Sequence, residues 1–240
     1  MQNLAAGKVL RERTFDAILE QVFAVRDGVD EAADLIWQGS LFGSVAPSTD
    51  ERAPIVRHQL DEHSWIDHSP AFGSAPDAVL AHLLTELVWE QREMKMFDQI
   101  VWQPRLSADA DVGDESPPLR RDLDHVEAHY GMRFDRYFVN LYRNGDDSVA
   151  WHTDKIGAVA HEPLVVIFSY GARRTFRIRP KDGGRSTAFS VGHGDLLVMG
   201  GRCQHDWEHS VPKTRRGVGP RISFTARHWP QDPPGPGDPH

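Results

Sequence analysis

Hydrophobic residues recur with a helical period in three segments of the first half of the chain. The segment Phe15–Phe23 has apolar residues at i, i+3, i+4, i+7 and i+8, which is typical of one helix face. The same period recurs from Val79 to Val88 and from Leu119 to Tyr130, after which Gly131 provides a C-terminal stop. The pattern predicts three amphipathic helices, and the polar, turn-rich residues 105–118 are expected to form an exposed loop.

From about residue 134 the pattern changes to short β-like runs separated by turn-forming residues such as Asn144-Gly145 and Gly183-Gly184. The predicted strands are 138–142, 164–170, 175–179, 187–191, 196–199 and 221–227. Short strands at regular spacing are typical of a sandwich or barrel. The predicted fold class is therefore α+β with a mainly β core.

Three parts of the chain differ in pattern and composition. Residues 1–95 are predicted to be an N-terminal helical extension, packed on the core as a lid over the site. Residues 96–229 are predicted to form the β core itself. Residues 230–240 are rich in proline and glycine and are predicted to be a flexible tail.

The overall composition narrows the function classes. The 240 residues fit one domain with an elaboration, and the net charge of −8 argues against binding nucleic acid through overall charge. A single cysteine, Cys203, excludes a disulfide framework or a cysteine-rich zinc site. No apolar run is long enough to span a bilayer and the start has no signal-peptide pattern, so we expect a cytoplasmic, membrane-free monomer.

Two histidines and a carboxylate stand at spacings that suit a metal. His152 and Asp154 lie at i and i+2 and share one face of an extended segment, while His209 lies on a predicted strand far downstream. Such a set occupies one side of an octahedral Fe(II) and leaves three positions open. A double-stranded β-helix can bring the three together. The alternative for His152 and Asp154 alone is a solvated ion pair in a turn.

The last predicted strand, residues 221–227, has alternating polarity. Arg221, Ser223, Thr225 and Arg227 share one face, so both arginines can point into a barrel. A buried guanidinium needs an anion, and a dicarboxylate such as 2-oxoglutarate would provide one. The alternative is a surface strand with flanking charges.

These motifs together resemble the AlkB family of Fe(II)- and 2-oxoglutarate-dependent dioxygenases, over roughly residues 96–228. The segments that carry the resemblance are Asn140-Leu141-Tyr142, His152-Thr153-Asp154, Ser169 to Phe176, His193 to Met199, Trp207 to Pro212 and Pro220 to Arg227. The resemblance implies a jelly-roll fold with a substrate lid. It also implies oxidative demethylation of alkylated DNA or RNA bases in damage repair, with release of formaldehyde, succinate and CO2.

The resemblance also implies particular residues and cofactors. The implied iron ligands are His152, Asp154 and His209. The implied cosubstrate contacts are Asn140, Tyr142, Arg221, Thr225 and Arg227. The implied cofactors are Fe(II), 2-oxoglutarate and O2, with ascorbate as a stimulating reductant.

Nucleic-acid contacts are expected from two groups of residues. Arg173, Arg174 and Arg177 stand on a predicted hairpin as candidate phosphate contacts, although a solvated charged hairpin explains them equally well. An aromatic residue from the lid should stack on a flipped base. The candidates are Trp65, Phe97 and Trp102, and the alternative for each is a place in the core.

Two positions depart from the resembled family, and both concern substrate recognition. Lys155 and Ile156 follow Asp154 where the family's demethylases often carry an acidic residue, and the polar segment after Arg105 includes Ser107 where relatives often carry an aromatic. A hydroxylase of a protein or small molecule, and a non-catalytic nucleic-acid-binding module, are therefore kept as alternatives. A cupin-like metal protein would leave Arg221 unexplained.

Overall fold

The computed structural model describes residues 8–9, 52–96, 98–111, 113–158 and 160–229. The helix predicted at 15–23 and the tail 230–240 lie outside the described residues. Within the described ranges, two helices, a large sheet and a small sheet form successive layers. The described strands are β1 (Lys8–Val9), β2 (Val56–Gln59), β3 (Ser64–Ser69), β4 (Glu90–Gln91), β5 (Glu93–Met96), β6 (Gln99–Trp102), β7 (Leu106–Ala110), β8 (Arg136–Tyr142), β9 (Val149–His152), β10 (Val165–Gly171), β11 (Arg174–Pro180), β12 (Thr187–Val191), β13 (Asp195–Gly201), β14 (Trp207–Val211) and β15 (Arg221–Arg227).

The strands form two facing sheets and a separate hairpin. The large sheet has the order β1-β4-β7-β8-β15-β10-β13-β3-β2, the small sheet the order β12-β11-β14-β9, and β5 pairs with β6. Every one of these pairings is antiparallel. This arrangement confirms the predicted mainly β, jelly-roll architecture.

Helices cover the outer face of the large sheet. Helix α1 (Pro76–Glu86) and helix α2 (Pro117–Tyr130) begin with proline in the first turn, and Gly131 ends α2 in the left-handed conformation with φ 64°. Their apolar sides pack on the sheet through fully buried residues such as Leu83 and Leu123. Both helices therefore confirm the predicted pattern, apart from Leu87 and Val88, which lie beyond the end of α1.

A second apolar cluster fills part of the space between the two sheets. It includes Ile167 of the large sheet, Phe176 and Ile178 of β11, and Val211 of β14. The remaining space between the sheets is an open cavity. Alternation along the central strands of the large sheet therefore separates a helix-facing core from a cavity-facing surface.

The expectation of an exposed loop over residues 105–118 is wrong for residues 106–110. These residues form β7, which pairs with β8 from Leu106↔Leu141 to Ala110↔Tyr137. Leu106, Ala108 and Ala110 are buried on the helix-facing side. Small and polar residues obscured this alternation in the sequence, because alanine and serine do not mark a strand by propensity.

The boundary predicted at residue 95 divides elements that share one sheet. Strands β2 and β3 lie in the predicted N-terminal extension, yet β3 pairs with β13 of the β core over six residues. Within residues 52–96, the chain therefore contributes strands to the large sheet as well as helix α1. No helix among the described residues is long and apolar enough to cross a membrane.

Arg174 is a structural residue, so its prediction as a phosphate contact is wrong. Its side chain is buried and donates hydrogen bonds of 2.8–2.9 Å to the carbonyl oxygens of Asn144, Asp147 and Pro212. The guanidinium thereby joins the turn after β8 to the end of β14. Strand alternation explains the placement, because Arg174 shares the inward face of β11 with Phe176 and Ile178.

We predict that Arg174→Leu lowers the free energy of unfolding by about 2–4 kcal/mol, because three carbonyl groups lose a charged donor. Urea unfolding measures this change. Exposed Arg177 on the same strand is the matched control, and Arg177→Leu should stay within about 0.5 kcal/mol of the wild type. Unchanged stability of Arg174→Leu would contradict this role.

Candidate active site

A cavity of about 510 Å3 opens between the two sheets. It is lined by side chains from β8, β9, β14 and β15. All eight residues predicted as iron ligands or cosubstrate contacts line it, namely Asn140, Tyr142, His152, Asp154, His209, Arg221, Thr225 and Arg227. The structure thus brings together residues that are up to 87 positions apart (from 140 to 227) in the sequence.

His152, Asp154 and His209 form a compact cluster at this cavity. His152 ends β9 and lies directly opposite His209 of β14, which brings the two ring centroids to 4.2 Å. The Asp154 Oδ1 atom is 3.8 Å from His152 Nε2 and 3.9 Å from His209 Nε2. One ligand atom from each residue lies within 4.8 Å of the others, so the three can converge on one metal ion.

Neighbouring groups fix the orientation of these ligands. His152 Nδ1 lies 2.9 Å from the carbonyl oxygen of Ala150. A carbonyl can only accept, so Nδ1 is the donor, and Nε2 is left free to bind a metal. The backbone N–H of Asp154 donates to Oε1 of buried Gln204 at 2.8 Å. Gln204 lies on the short helix α3 (Cys203–Asp206). No sequence motif marks this residue, because its contact is to a backbone group.

The protonation states of the cluster suit a divalent cation. Burial raises the pKa of Asp154, but Arg227 and the two histidines lower it further than burial raises it, so the carboxylate stays ionised. Arg227 Nη2 contacts the other oxygen, Oδ2, at 3.0 Å. Burial, aided by the nearby His152, lowers the pKa of His209 to about 3, so its imidazole is neutral. Imidazole nitrogens and one carboxylate are the donor set that fits Fe(II) with open positions.

His205 stands four positions before His209 in the sequence but is not part of the cluster. Its Nε2 atom lies 3.0 Å from the carbonyl oxygen of Ala160, on α3 and outside the cluster. Among the described residues, the one group of His, Cys, Asp and Glu side chains that can hold a metal is His152, Asp154 and His209.

Arg221 is buried at the cavity and has hydrogen-bond donors without acceptors. Its Nη2 donates to the Ser169 hydroxyl at 2.5 Å, while Nε and Nη1 are buried without a hydrogen-bond partner. Burial lowers the pKa of Arg221 and the adjacent Tyr142 raises it, but an arginine stays charged in either case. A buried cation with unused donors requires an anion, and one carboxylate of a dicarboxylate fits this need.

Asn140 is oriented toward the same end of the cavity by two residues that the sequence analysis placed in a loop. Arg105 Nε and the Ser107 hydroxyl donate to Asn140 Oδ1 at 2.8 and 3.1 Å. The Asn140 amide nitrogen is therefore left as a donor. Both residues stand at or beside β7, and recognising that strand would have revealed them.

The aromatic candidates for base stacking are placed differently. Trp65 is a structural residue, and its prediction as a substrate contact is wrong. Its ring stacks on Tyr130 at 6.0 Å and under the Arg57 guanidinium at 3.7 Å, on the helix-facing side of the large sheet. Trp102 is exposed on β6 beside the cavity-lining Gln103, and Phe97 lies outside the described residues.

Two other aromatic residues reach the cavity, Phe138 of β8 and Trp229 after β15. The sequence offered a partial signal, because Phe138 stands at i−2 from Asn140 on one strand face. Of the candidate phosphate contacts, Arg173 is largely exposed at a groove beyond the end of β11. Arg177 is exposed on the face of β11 that is opposite to buried Phe176 and Ile178.

Comparison with known proteins agrees with this geometry. The sequence profile of the 2OG-Fe(II) oxygenase superfamily matches residues 41–227. The chain belongs to this superfamily, and the resemblance to the AlkB family is confirmed by the relatives below.

Several curated relatives are AlkB homologues. Human alpha-ketoglutarate-dependent dioxygenase alkB homolog 3 is 33% identical over 181 residues, covering 66% of this chain and 63% of that protein. The protein named DNA oxidative demethylase ALKBH2 of Arabidopsis thaliana is 33% identical over 138 residues, covering 48% and 44%. Its human namesake is 33% identical over 119 residues, covering 46% of each chain. The matched region thus spans less than two thirds of these relatives.

We predict that His209→Ala weakens metal binding by at least about tenfold, because removal of one imidazole leaves two protein ligands. Titration with Co(II), followed by its visible absorption, measures the affinity without requiring turnover. His205→Ala is the matched control and should bind Co(II) as the wild type does. An equal loss of Co(II) affinity in His209→Ala and His205→Ala would contradict the assignment of His209 as a metal ligand.

We predict that Arg221→Met weakens 2-oxoglutarate binding by about 2–5 kcal/mol while metal affinity is unchanged, since the distal carboxylate loses its charged partner. Calorimetric titration of the Zn(II)-loaded protein measures both affinities. Unchanged affinity for 2-oxoglutarate would show that the unpaired donors of Arg221 serve another anion.

Proposed function

We propose that this chain is an Fe(II)- and 2-oxoglutarate-dependent dioxygenase that removes N-linked methyl groups from bases of DNA or RNA. The observation that carries the proposal is the placement of the His152, Asp154 and His209 cluster and buried Arg221 at one cavity. The printed names of relatives as alpha-ketoglutarate-dependent dioxygenase and DNA oxidative demethylase support the same activity for this chain.

The overall reaction balances with one O2 and one 2-oxoglutarate for each methyl group. One oxygen atom enters the methyl C–H bond and the other enters succinate, with loss of CO2. The C–N bond of the hydroxymethyl group then breaks to give formaldehyde, and its electron pair goes to the base nitrogen. The hydroxyl proton passes to that nitrogen in a neutral base and to solvent in a cationic one. Iron, when bound, supplies the activation of O2 by electrons drawn from 2-oxoglutarate.

The protein's own residues bind, orient and exclude water. Arg221 holds the distal carboxylate, and Asn140, oriented by Arg105 and Ser107, donates to the cosubstrate from the neighbouring strand. Arg227 engages Oδ2 of Asp154 and thereby directs Oδ1 toward the histidines. Phe176 stacks on His209 at 5.4 Å and shields that ligand from water.

Contacts to the phosphate backbone are proposed for a basic groove beside the cavity-forming sheets. Arg173, Lys213 and Arg216 line this groove together with Thr175 and Thr214. Positive side chains with hydroxyl groups between them suit phosphate oxygens. On a chain of net charge −8, this local group offers a route to a polyanion that overall charge does not.

One alternative keeps the chemistry and changes the substrate to a protein side chain or a small molecule. The observation that favours it is the same net charge of −8, which repels nucleic acid at long range. Incubation with Fe(II), 2-oxoglutarate, ascorbate and a panel of methylated oligonucleotides separates the two. Loss of 14 mass units, about one CH2, supports demethylation, whereas succinate production without any such loss supports the alternative.

We predict that the affinity for a single-stranded oligonucleotide falls steeply with salt. Each phosphate contact contributes about −0.7 to the slope of log affinity against log salt, so changing Arg173, Lys213 and Arg216 together to Ala should flatten it by about 2. Fluorescence anisotropy measures the slope. The same triple change should leave 2-oxoglutarate turnover without substrate unaffected, and an unaltered slope would exclude the groove.

A further inference from the structure

The residues that follow Asp154 place a positive charge, and no negative one, at the cavity. Lys155 begins a 3-10 helix (Lys155–Ala158), is exposed, and lines the cavity. Ile156 is fully buried in the apolar cluster between the sheets. Neither side chain can offer an acceptor to a positively charged base.

The charged side chains around the cavity are mostly positive. Those that line it are Arg92, Arg105, Lys155, Arg221, Arg227, Asp109 and Asp154. Five positive and two negative charges give a sum of +3. Both carboxylates are already paired, Asp154 with Arg227 at 3.0 Å and Asp109 with Arg92 at 2.6 Å.

The cofactors do not reverse this sum. A divalent iron and doubly charged 2-oxoglutarate cancel each other, so the sum of +3 around the cavity is the same when both are bound. Arg105 and Lys155 make no ion pair with any residue that the structure describes. Arg105 donates only to the neutral amide of Asn140.

We propose that the site selects alkylated bases that are electrically neutral over those that alkylation has made cationic. The inference rests on the proposed function. Like charges repel more strongly in a cavity partly shielded from water than in bulk solvent. A base that gains a positive charge on N-methylation is therefore repelled by the net positive charge around the cavity. No unpaired carboxylate among the described residues at the cavity compensates for this repulsion.

Two pyrimidines provide a matched pair of probes. N3-methylcytosine is a cation at neutral pH and N3-methylthymine is neutral, while both carry the methyl group on the same ring nitrogen. Single-stranded oligonucleotides that differ only in this base bring the same number of phosphates. Attraction of the backbone therefore cancels in the ratio of the two kcat/KM values.

The wild type is expected to process N3-methylthymine with a kcat/KM about tenfold higher than N3-methylcytosine. Lys155→Glu changes the charge at the cavity by two units, and it should shift the ratio by about tenfold or more toward N3-methylcytosine. Lys155→Gln should give an intermediate ratio. Arg121→Glu, on the exposed side of α2, makes the same change in net charge away from the cavity and should leave the ratio unchanged.

Affinity provides a second readout. Anisotropy with the Zn(II)-loaded protein and 2-oxoglutarate should show the same order of the two oligonucleotides and the same shift in Lys155→Glu. A wild type that prefers N3-methylcytosine, or a ratio that Lys155→Glu does not move, overturns this inference and leaves the demethylase activity standing. If no methylated oligonucleotide loses its methyl group, the proposed function fails and the inference fails with it.

Discussion

The alternation of side chains along β15 is the constraint on which the rest of the site depends. This strand lies between β8 and β10 in the large sheet, and its residues 221–226 are buried. One face packs Ile222 and Phe224 beneath the helices, and the other turns Arg221 and Arg227 toward the cavity. Two cations on this face require anions. The protein itself provides the anion for Arg227, which is Asp154.

Arg221, which has no anionic partner among the described residues, lines the same cavity as the metal cluster. Arg227 is paired within the protein, whereas Arg221 keeps two buried donors without a partner. Arg221 and the cluster of His152, Asp154 and His209 line the same cavity, so a dicarboxylate held by Arg221 would share that cavity with the metal. Burial of an incompletely paired arginine lowers the stability of the free protein, and binding of the cosubstrate raises it again.

Other charged residues at the cavity are less buried than these. The cavity rim contains Arg92, Asp109 and Lys155, which are exposed or partly exposed and come from different parts of the chain. Substitution there costs little stability, so charge at the rim can change while the buried ligands and Arg221 stay as they are. The charge around the cavity and the buried ligand set are therefore separable properties of this fold.

Features that depend on local periodicity and on motif residues could be predicted without the structure. They include helices α1 and α2, six of the strands, the cluster of His152, Asp154 and His209, and the cavity-facing side of β15. Periods of 3.6 and 2 residues assign faces to helices and strands without tertiary information. Only the tertiary structure decided that Arg174 holds carbonyl groups, that Trp65 packs between Arg57 and Tyr130, and that Ser107 lies on a strand. These roles depend on partners from 30 to 65 positions away (Asn144 for Arg174, Asn140 for Ser107, Tyr130 for Trp65). A charged or aromatic residue looks the same in sequence whether its partner is solvent, a ligand or a distant backbone carbonyl.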